Sequence, residues 1–170
     1  MEINLADAFA PSFANGPGAR AVLAVQGCLR RCSGCHNAHM WSHAPARICE
    51  VGAVLSWLRA QPGLRGLTLT GGEPFEQAEA LARVARAVRA DGWDVVCFTG
   101  YSLEELRAGQ VRGSRALVRD VDLLIHGPFD RTQASTRPLL GSVNQRLHFQ
   151  GNRVTPEELL DLPRGEWAGG

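Results

Sequence analysis

Three cysteines lie close together near the start of the chain, in the segment QGCLRRCSGCHN, at positions Cys28, Cys32 and Cys35. Their spacing is C-x3-C-x2-C, and no fourth cysteine follows nearby. Structural zinc sites and ferredoxin-type clusters normally take four protein ligands. Three thiolates would therefore leave one coordination position open, and an open position is where a metal centre can do chemistry.

Two kinds of metal site are compatible with this triplet taken alone. The three cysteines and His36 could form a Cys3His zinc site, although the direct adjacency of Cys35 and His36 would strain a closed tetrahedron. Alternatively, the three thiolates could bind three irons of a [4Fe–4S] cluster and leave the fourth iron for a substrate. The triplet by itself leaves both interpretations open.

A second segment that could bind a ligand is Gly71-Gly72-Glu73-Pro74, which directly follows a predicted strand. Two glycines let the backbone approach a ligand closely, and the carboxylate that follows them can accept a hydrogen bond from an ammonium group. Together with an open metal position, this segment favours the iron–sulfur cluster over the zinc site.

The elements that must position these residues alternate between strand and helix. Short apolar runs predict strands, and apolar residues at helical spacing predict helices. The predicted strands are 21–26, 64–70, 93–99, 121–125 and 145–150, and the predicted helices are 48–60, 79–91, 103–108 and a short one that Thr155 and Pro156 open. Ser102 and Glu105 predict a capping box for the third helix.

Each unusual polar or glycine-rich cluster follows directly after a strand: QGC, TGGEP, FTGY and HGPF. Functional sites in parallel α/β sheets form at the carboxyl ends of the strands, so we expect the four clusters to converge on one mouth. The predicted fold class is α/β with a mainly parallel sheet. A complete eight-fold barrel needs about 250 residues, so we expect a partial barrel that is open on one side.

Length and composition narrow the function classes. A chain of 170 residues predicts a single domain over residues 1–170, with a core at about 15–150 and a short C-terminal extension. The net charge of +1 gives no indication of nucleic-acid or membrane binding. The chain has no long apolar run and no N-terminal signal pattern, and its five cysteines therefore suggest a reducing, cytoplasmic location.

The combination of C-x3-C-x2-C with GGE at the end of the next strand resembles the radical S-adenosylmethionine (SAM) enzymes. The resemblance implies a partial (β/α)6-like barrel and a [4Fe–4S] cluster on Cys28, Cys32 and Cys35. It implies that the methionine amino and carboxylate groups of SAM chelate the open iron, with the ammonium held by Glu73 and the backbone of Gly71 and Gly72. The implied SAM contacts in full are Gly34, His36, Asn37, Gly71, Gly72, Glu73, Thr99 and Gly100.

A longer series of motifs narrows the resemblance. NGPGAR at 15–20, CSGCHN, TGGEPF at 70–75, FTGY at 98–101, GPF at 127–129 and GSVNQR at 141–146 occur in this order. This pattern is similar to the activating components of anaerobic (class III) ribonucleotide reductases. Many radical SAM proteins have an aromatic residue before the third cysteine, and Gly34 at this position fits the reductase-activating group.

The resemblance implies a reaction and its partners. Flavodoxin or ferredoxin reduces the cluster, and SAM is cleaved to methionine and a 5′-deoxyadenosyl radical. That radical abstracts hydrogen from a glycine of a partner glycyl-radical enzyme, such as the anaerobic ribonucleotide reductase. The alternative is a radical SAM enzyme that modifies a small molecule or a peptide.

One departure from the pattern concerns His126, since the reductase-activating group usually has aspartate there, and a related aspartate contributes to a cation site near SAM. We expect His126 to contact a substrate, to donate a proton or to be a hydrogen-bonded rim residue. The candidate substrate or cation residues are Arg20, His126, Asn144 and Arg146, and the polar run that contains Gln145 between the last two is expected to reach the mouth. Cys49, in a predicted helix, and Cys97, in a predicted strand, are expected to be buried thiols.

Overall fold

The computed structural model describes residues 1–162, which contain seven strands and four α-helices. The strands are β1 Glu2–Ser12, β2 Arg20–Val25, β3 Arg47–Glu50, β4 Gly66–Gly71, β5 Asp94–Thr99, β6 Leu123–His126 and β7 Arg146–Phe149. The helices are α1 Val51–Arg59, α2 Ala78–Ala90, α3 Leu103–Ala108 and α4 Ser114–Arg119. Short 3-10 helices span Ala38–Met40, Pro74–Gln77, Arg131–Gln133 and Glu157–Leu159.

All seven strands belong to one sheet with the order β3-β1-β2-β4-β5-β6-β7. The four central strands β2, β4, β5 and β6 are mutually parallel, whereas β1 and β7 run antiparallel to them. The sheet does not close, because β3 and β7 lie at opposite ends of the order. The predicted α/β class with a mainly parallel sheet that is open on one side is confirmed.

The two faces of the sheet have different functions. Side chains of a parallel strand alternate between the faces, and both faces are normally covered. On one face, Leu67, Leu69 and Val95 pack with Leu58 of α1 and Leu81 of α2 in the main core. On the other face, a smaller apolar cluster includes Val96, Leu123, Ile125 and Leu140, and beside it a cavity opens. The helices therefore support the sheet from behind, and the second face is left for the site.

Helix α3 confirms the predicted capping box. The Ser102 side chain accepts a hydrogen bond from the Glu105 backbone N–H, and the Glu105 carboxylate accepts one from the Ser102 N–H. The helix ends at Gly109, which has a left-handed conformation. This short helix directly follows the end of β5, and its caps hold it there.

Residues 48–50 do not begin a helix, as the sequence predicted. They belong to β3, which pairs with β1 in an antiparallel register that places Ile48 opposite Asn4. Cys49 is consequently a half-buried strand residue rather than a helical one, whereas Cys97 is fully buried as expected. The helical spacing is real but starts at Val51.

Besides β3, one strand and one α-helix were missed, and one element was predicted with the wrong form. Strand β1 was not predicted, and its Ile3 and Leu5 are buried in the main core, so the core begins before residue 15. Helix α4 was also missed. At Thr155 and Pro156 the structure has a 3-10 helix over Glu157–Leu159, with Pro156 as its N-cap. No helix among the described residues is long and apolar enough to cross a membrane.

Candidate metal and cofactor site

A cavity of about 440 Å³ lies at the carboxyl ends of the central strands. Each of the four predicted clusters contributes to its wall: Cys28 after β2, Gly72 after β4, Gly100 after β5 and Gly127 after β6. The expected convergence of these clusters on one mouth is therefore confirmed. All three cysteines of the triplet line this cavity.

The cysteine loop is anchored at both ends by backbone hydrogen bonds. Gly27 N–H donates to the Met40 carbonyl at 2.8 Å, and Cys28 N–H donates to the Trp41 carbonyl at 3.1 Å. Between these anchors, all three cysteines are free thiols; Cys28 is buried, and Cys32 and Cys35 are half-buried. The loop thus presents three thiols to one cavity while its ends remain tied to each other.

Backbone N–H groups point at two of the sulfur atoms. Asn37 N–H donates to Cys35 Sγ at 3.4 Å, and the N–H groups of Arg30 and Arg31 donate to Cys28. Burial raises the pKa of the Cys28 thiol, and these two hydrogen bonds act in the opposite direction. N–H donors stabilise negative charge on sulfur, which a metal-bound thiolate carries.

The segment Gly71-Gly72-Glu73 crosses close to the end of β2. Gly72 N–H donates to the Val25 carbonyl and Glu73 N–H donates to the Gly27 carbonyl, both at 2.8 Å. Gly71 has a φ of +101°, and a Cβ on Gly72 would collide with the Gly27 carbonyl oxygen. The glycines are thus required by strand packing, in addition to the ligand approach that the sequence suggested.

The Glu73 carboxylate is fully hydrogen-bonded within the protein. Its Oε1 accepts from Phe75 N–H at 3.0 Å and from the Thr99 hydroxyl at 2.7 Å, and its Oε2 accepts from Gly100 N–H at 2.8 Å. Glu73 is only 1% exposed. Burial raises the pKa of Glu73 to about 7, although the three hydrogen bonds lower it.

The other predicted SAM contacts lie around the same mouth. The His36 ring packs on Phe129 at a centroid distance of 5.4 Å, and Asn37 Nδ2 donates to the Gly71 carbonyl at 3.2 Å. Gly34 has a φ of +75°, and a side chain at this position would collide with the stem of Arg131. His36 and Asn37 line the cavity, whereas Gly34 lies on the outer side of the loop against Arg131.

Comparison with known proteins identifies the family to which this chain is similar. The family model for a 4Fe-4S single cluster domain matches residues 14–148. The anaerobic ribonucleoside-triphosphate reductase-activating protein of Enterobacteria phage T4 is 32% identical over 141 residues, covering 79% of this chain and 86% of the relative. Its counterpart in Vibrio cholerae serotype O1 is 34% identical over 145 residues, covering 79% and 90%.

This chain belongs to that family of activating proteins. Its fold is also similar to the crystal structure of QueE from Escherichia coli, with a TM-score of 0.51 and 17% identity, covering 74% of this chain and 70% of QueE. Membership in the family makes the chain a radical SAM enzyme whose cofactors are a [4Fe–4S] cluster and SAM.

The residues around the cavity of this activating protein fit those cofactors. All three cysteines line one cavity, and a [4Fe–4S] cluster would bind each thiolate to a different iron. Trp41 also lines the cavity, and its buried Nε1 has no acceptor among residues 1–162. A bound ligand with an acceptor atom would satisfy this donor.

The structure places Arg20 away from the candidate site. Arg20 is completely buried at the start of β2, the amino end of the strand, whereas the cavity lies at the carboxyl end. Its guanidinium forms an ion pair with Asp94 and donates to the Thr68 hydroxyl at 2.8 Å. Arg20 therefore does not reach the cavity, and its donors are used inside the protein.

The other three substrate candidates do not line the cavity either. His126 shares a face of β6 with Leu124, which packs in the main core, so the His126 ring points to the helix side of the sheet. Its charged neighbours are Glu104, Arg107, Arg146 and His148, and burial lowers its pKa. Asn144 donates to the Pro128 carbonyl at 2.8 Å, and Arg146 donates to the carbonyls of Val143 and Gln145.

Of the polar run Asn144–Arg146, only Gln145 lines the cavity, because of the direction of the turn before β7. Its side chain accepts from Gly141 N–H at 2.9 Å and donates to the Gly127 carbonyl at 3.0 Å. Other wall residues were missed in the sequence. Apolar wall residues carry no chemical signal of their own; these are Met40, Phe98, Phe129, Leu139 and Leu140.

Proposed function

We propose that this chain activates an anaerobic ribonucleotide reductase, or a related glycyl-radical enzyme, by removing a hydrogen atom from a glycine of that partner. The observation that carries the proposal is the cavity that joins the three cysteines to the Gly71-Gly72-Glu73 segment. Two relatives that match most of the chain are named for activation of the anaerobic reductase.

The proposed roles of the residues follow from their positions. Cys28, Cys32 and Cys35 would bind three irons, and the backbone around Gly71 and Gly72 would hold the methionine end of SAM. His36, Asn37, Thr99 and Gly100 would border the adenosine, with Gly34 leaving room on the outer side of the loop. When both cofactors are bound, they supply a 5′-deoxyadenosyl radical, and the protein supplies binding and orientation.

The apolar wall supports radical chemistry in this cavity. Trp41, Phe98, Phe129 and Leu140 line one cavity together with the cysteines. Such a wall excludes water and unwanted reaction partners from a reactive intermediate. The wall residues therefore would protect the radical until the partner glycine arrives.

We further propose that the sheet is a partial (β/α)6-like barrel and that the chain forms a single domain; the last eight residues of that predicted domain, 163–170, lie outside the described residues. The four parallel strands and the helices behind them support this. The open side would admit a loop of a partner protein, which a closed barrel would not. For a chain that binds a large partner, this access matters more than a deep pocket for a small molecule.

The electron for the cluster would come from an external carrier such as flavodoxin or ferredoxin, in the cytoplasm. Arg31 and Ser33 of the cysteine loop are exposed, and so is Arg131, whose stem packs on Gly34. In the described chain, neither Arg31 nor Arg131 forms an ion pair. Two unpaired guanidinium groups beside the proposed cluster fit an acidic protein partner.

The proposal is tested with the reconstituted protein under anaerobic conditions. SAM, a reductant and a reductase with a C-terminal glycyl-radical loop should together give a glycine-centred doublet in the EPR spectrum. The Cys32→Ala variant is the matched control and should give no signal. Formation of 5′-deoxyadenosine without any glycyl radical would instead favour an enzyme that acts on a small molecule or peptide.

A further inference from the structure

Strand β7 leaves one edge of the sheet without a partner strand. It is the last strand in the sheet order, and β6 is its neighbour on the other side. The Gln150 N–H donates to the Asp122 carbonyl on the β6 side, and the backbone groups of successive strand residues point to alternate sides. The N–H and C=O groups of Leu147 and Phe149 therefore point away from β6. No hydrogen bond within residues 1–162 reaches these outward groups.

An apolar groove of about 540 Å³ lies beside this edge. The side chains of Leu147 and Phe149 pack with the smaller apolar cluster, on the face of the sheet that also holds the cavity. The apolar residues that line the groove are Pro138, Leu147, Phe149, Pro156, Leu159 and Leu160. A strand added to β7 would place every second side chain over this groove, because side chains alternate between the two faces of a sheet.

The helix side of the same edge carries exposed arginines. Arg107 donates to His148 Nε2 at 3.3 Å, and Arg115 donates to the Arg107 carbonyl at 2.9 Å. Gln150 Nε2 donates to the Arg119 carbonyl at 2.6 Å, which brings the end of α4 beside the end of β7. Together with one arginine of β7 itself, these residues form a basic rim that consists of Arg107, Arg115, Arg119 and Arg146.

Little negative charge opposes the basic rim. Its members other than Arg119 form no ion pair among residues 1–162. Asp120 lies 3.9 Å from Arg119 and also pairs with Arg86 at 3.1 Å, so its charge is shared. Glu104 is the acidic group that acts on His126 here. A strand added to β7 would place its other side chains against the basic rim, and this position favours aspartate or glutamate.

The groove is continuous with the cavity that the three cysteines line. Leu140 and Gln145 contribute to the walls of both. Strand β7 begins at Arg146, directly after Gln145, and its antiparallel pairing brings this amino end to the carboxyl end of β6. A strand that binds along β7 would therefore extend to the mouth of the cavity.

We infer that the β7 edge and its groove bind an extended, acidic segment of a partner protein as an additional strand of the sheet. The segment has apolar side chains in the groove, alternating with acidic side chains at the basic rim. Main-chain hydrogen bonds supply affinity in this mode of recognition, and the side chains supply specificity. A second copy of this chain fits poorly, because two paired β7 edges would bring two basic rims together. The inference does not rest on the proposed function, since such binding requires no SAM cleavage.

The charge preference is tested with a short, end-blocked peptide in which glutamate and valine alternate. The control peptide has lysine in place of glutamate, and fluorescence anisotropy measures the binding of each labelled peptide to the cluster-loaded protein. We expect the glutamate peptide to bind about tenfold more tightly at low salt, and this preference to shrink as salt screens the charges. Arg107→Gln/Arg146→Gln should remove most of the preference, whereas Arg83→Gln, on α2, should keep it.

A proline substitution tests the main-chain contact. Leu147→Pro removes an N–H that points away from β6, so the pairing of β7 with β6 is retained. Leu147→Ala is the matched control, because it also loses the leucine side chain but keeps the N–H. We expect Leu147→Pro to bind the glutamate peptide about tenfold more weakly than Leu147→Ala does, the effect of one lost hydrogen bond. Equal affinity of the two folded variants would contradict binding along the β7 edge.

Amide hydrogen exchange measured by NMR locates the peptide on the wild-type protein, without any substitution. The amides of Leu147 and Phe149 should exchange rapidly in the free protein and become protected when the glutamate peptide binds. The amide of His148, which points to β6, should be protected in both states.

Three results would overturn the inference. One is no binding of the glutamate peptide at millimolar concentration, and another is equal affinity for the two peptides. The third is protection that appears elsewhere and leaves Leu147 and Phe149 unchanged. If these two amides are instead protected in the free protein, increasingly so at higher protein concentration, a second copy of the chain occupies the edge and the acidic partner is refuted.

Discussion

The three cysteine thiols lie in different surroundings, although the sequence presents them as equivalent. Cys28 is buried and faces two backbone N–H groups, Cys35 accepts one, and Cys32 is half-buried. Each would bind a separate iron, so the loss of any one removes a ligand that the other two cannot replace. The residue types and spacing were readable from the sequence; the N–H donors around them were not.

Substitution of any triplet cysteine should abolish SAM cleavage. We expect Cys28→Ala, Cys32→Ala and Cys35→Ala each to lose the iron–sulfur absorption and to form no 5′-deoxyadenosine. Cys49→Ala is the matched control, because Cys49 lies in β3 and does not line the cavity. Full SAM cleavage by any of the three variants would contradict the assignment of the cluster ligands.

Arg20 should affect stability, since it belongs to a buried ion pair. Removal of the guanidinium leaves Asp94 without its fully buried partner, although Arg65 still contacts it at 2.8 Å. We expect Arg20→Met to lower the free energy of unfolding by about 3–5 kcal/mol, measured by urea denaturation. The exposed Arg83 on α2 is the control, and Arg83→Met should change stability by less than about 0.5 kcal/mol.

Protonation of Glu73 should make the free energy of unfolding depend on pH. Burial raises its pKa from 4.5 to about 7 in the folded protein, so the folded state holds a proton that the unfolded chain has lost. The resulting stabilisation is present below about pH 4.5, decreases as pH rises through about 7, and is absent above.

We therefore expect the unfolding free energy of wild type to fall with pH relative to Glu73→Gln, by on the order of 3 kcal/mol. Urea denaturation between pH 4.5 and pH 8 measures this difference. Parallel pH profiles of the two proteins would show that Glu73 does not hold a proton in the folded state.

Among the secondary-structure elements, the strands around the site were the most predictable. β2, β4, β5 and β6 are short apolar runs that end in a polar or glycine-rich cluster, because they are buried in the middle of the sheet. Strand β3 was missed because the helical spacing of Val51, Val54 and Leu58 extends by chance to Ile48. Its extended form depends on pairing with β1, which local sequence does not reveal.

Strand direction and alternation explain the misplaced candidates. Arg20 lies at the amino end of β2, far from the cavity at the carboxyl end. His126 lies at the carboxyl end of β6, but its side chain points to the helix side of the sheet. The motif pattern placed both near the site because it carries no information about which way a side chain points. Alternation along β6, with Leu124 in the core, would have identified the direction of His126.

The exposed Arg31 and Arg131 at the cysteine loop predict an electrostatic contact between this loop and the electron carrier. We expect the double variant Arg31→Gln/Arg131→Gln to slow cluster reduction by an acidic flavodoxin several-fold at low salt, because rim charges act mainly on the association rate. Reduction by dithionite, a small molecule, should keep its wild-type rate.

Stopped-flow absorbance of the cluster measures both rates. Arg83→Gln is the control, since this exposed arginine lies on α2 behind the sheet. A flavodoxin rate that is unchanged in the double variant and insensitive to salt would contradict the predicted docking face.

At the scale of the whole molecule, the sheet lies between the supporting helices on one face and the candidate site on the other. Helices cover one face, and the other face holds the cavity, with the open edges of the sheet at β3 and β7. A small chain of this design can generate a radical but must receive its target from outside. The family that it belongs to, with relatives named for the activation of a reductase, fits this division of labour.

The most direct test of this account follows the hydrogen atom itself. A partner reductase prepared with glycine that carries deuterium at the α-carbon is mixed with the reduced enzyme and SAM, and the 5′-deoxyadenosine formed is analysed by mass spectrometry. The account predicts that one deuterium appears in the 5′-deoxyadenosine for each glycyl radical seen by EPR. Glycyl radical formation with no deuterium in 5′-deoxyadenosine would contradict direct transfer from the partner glycine.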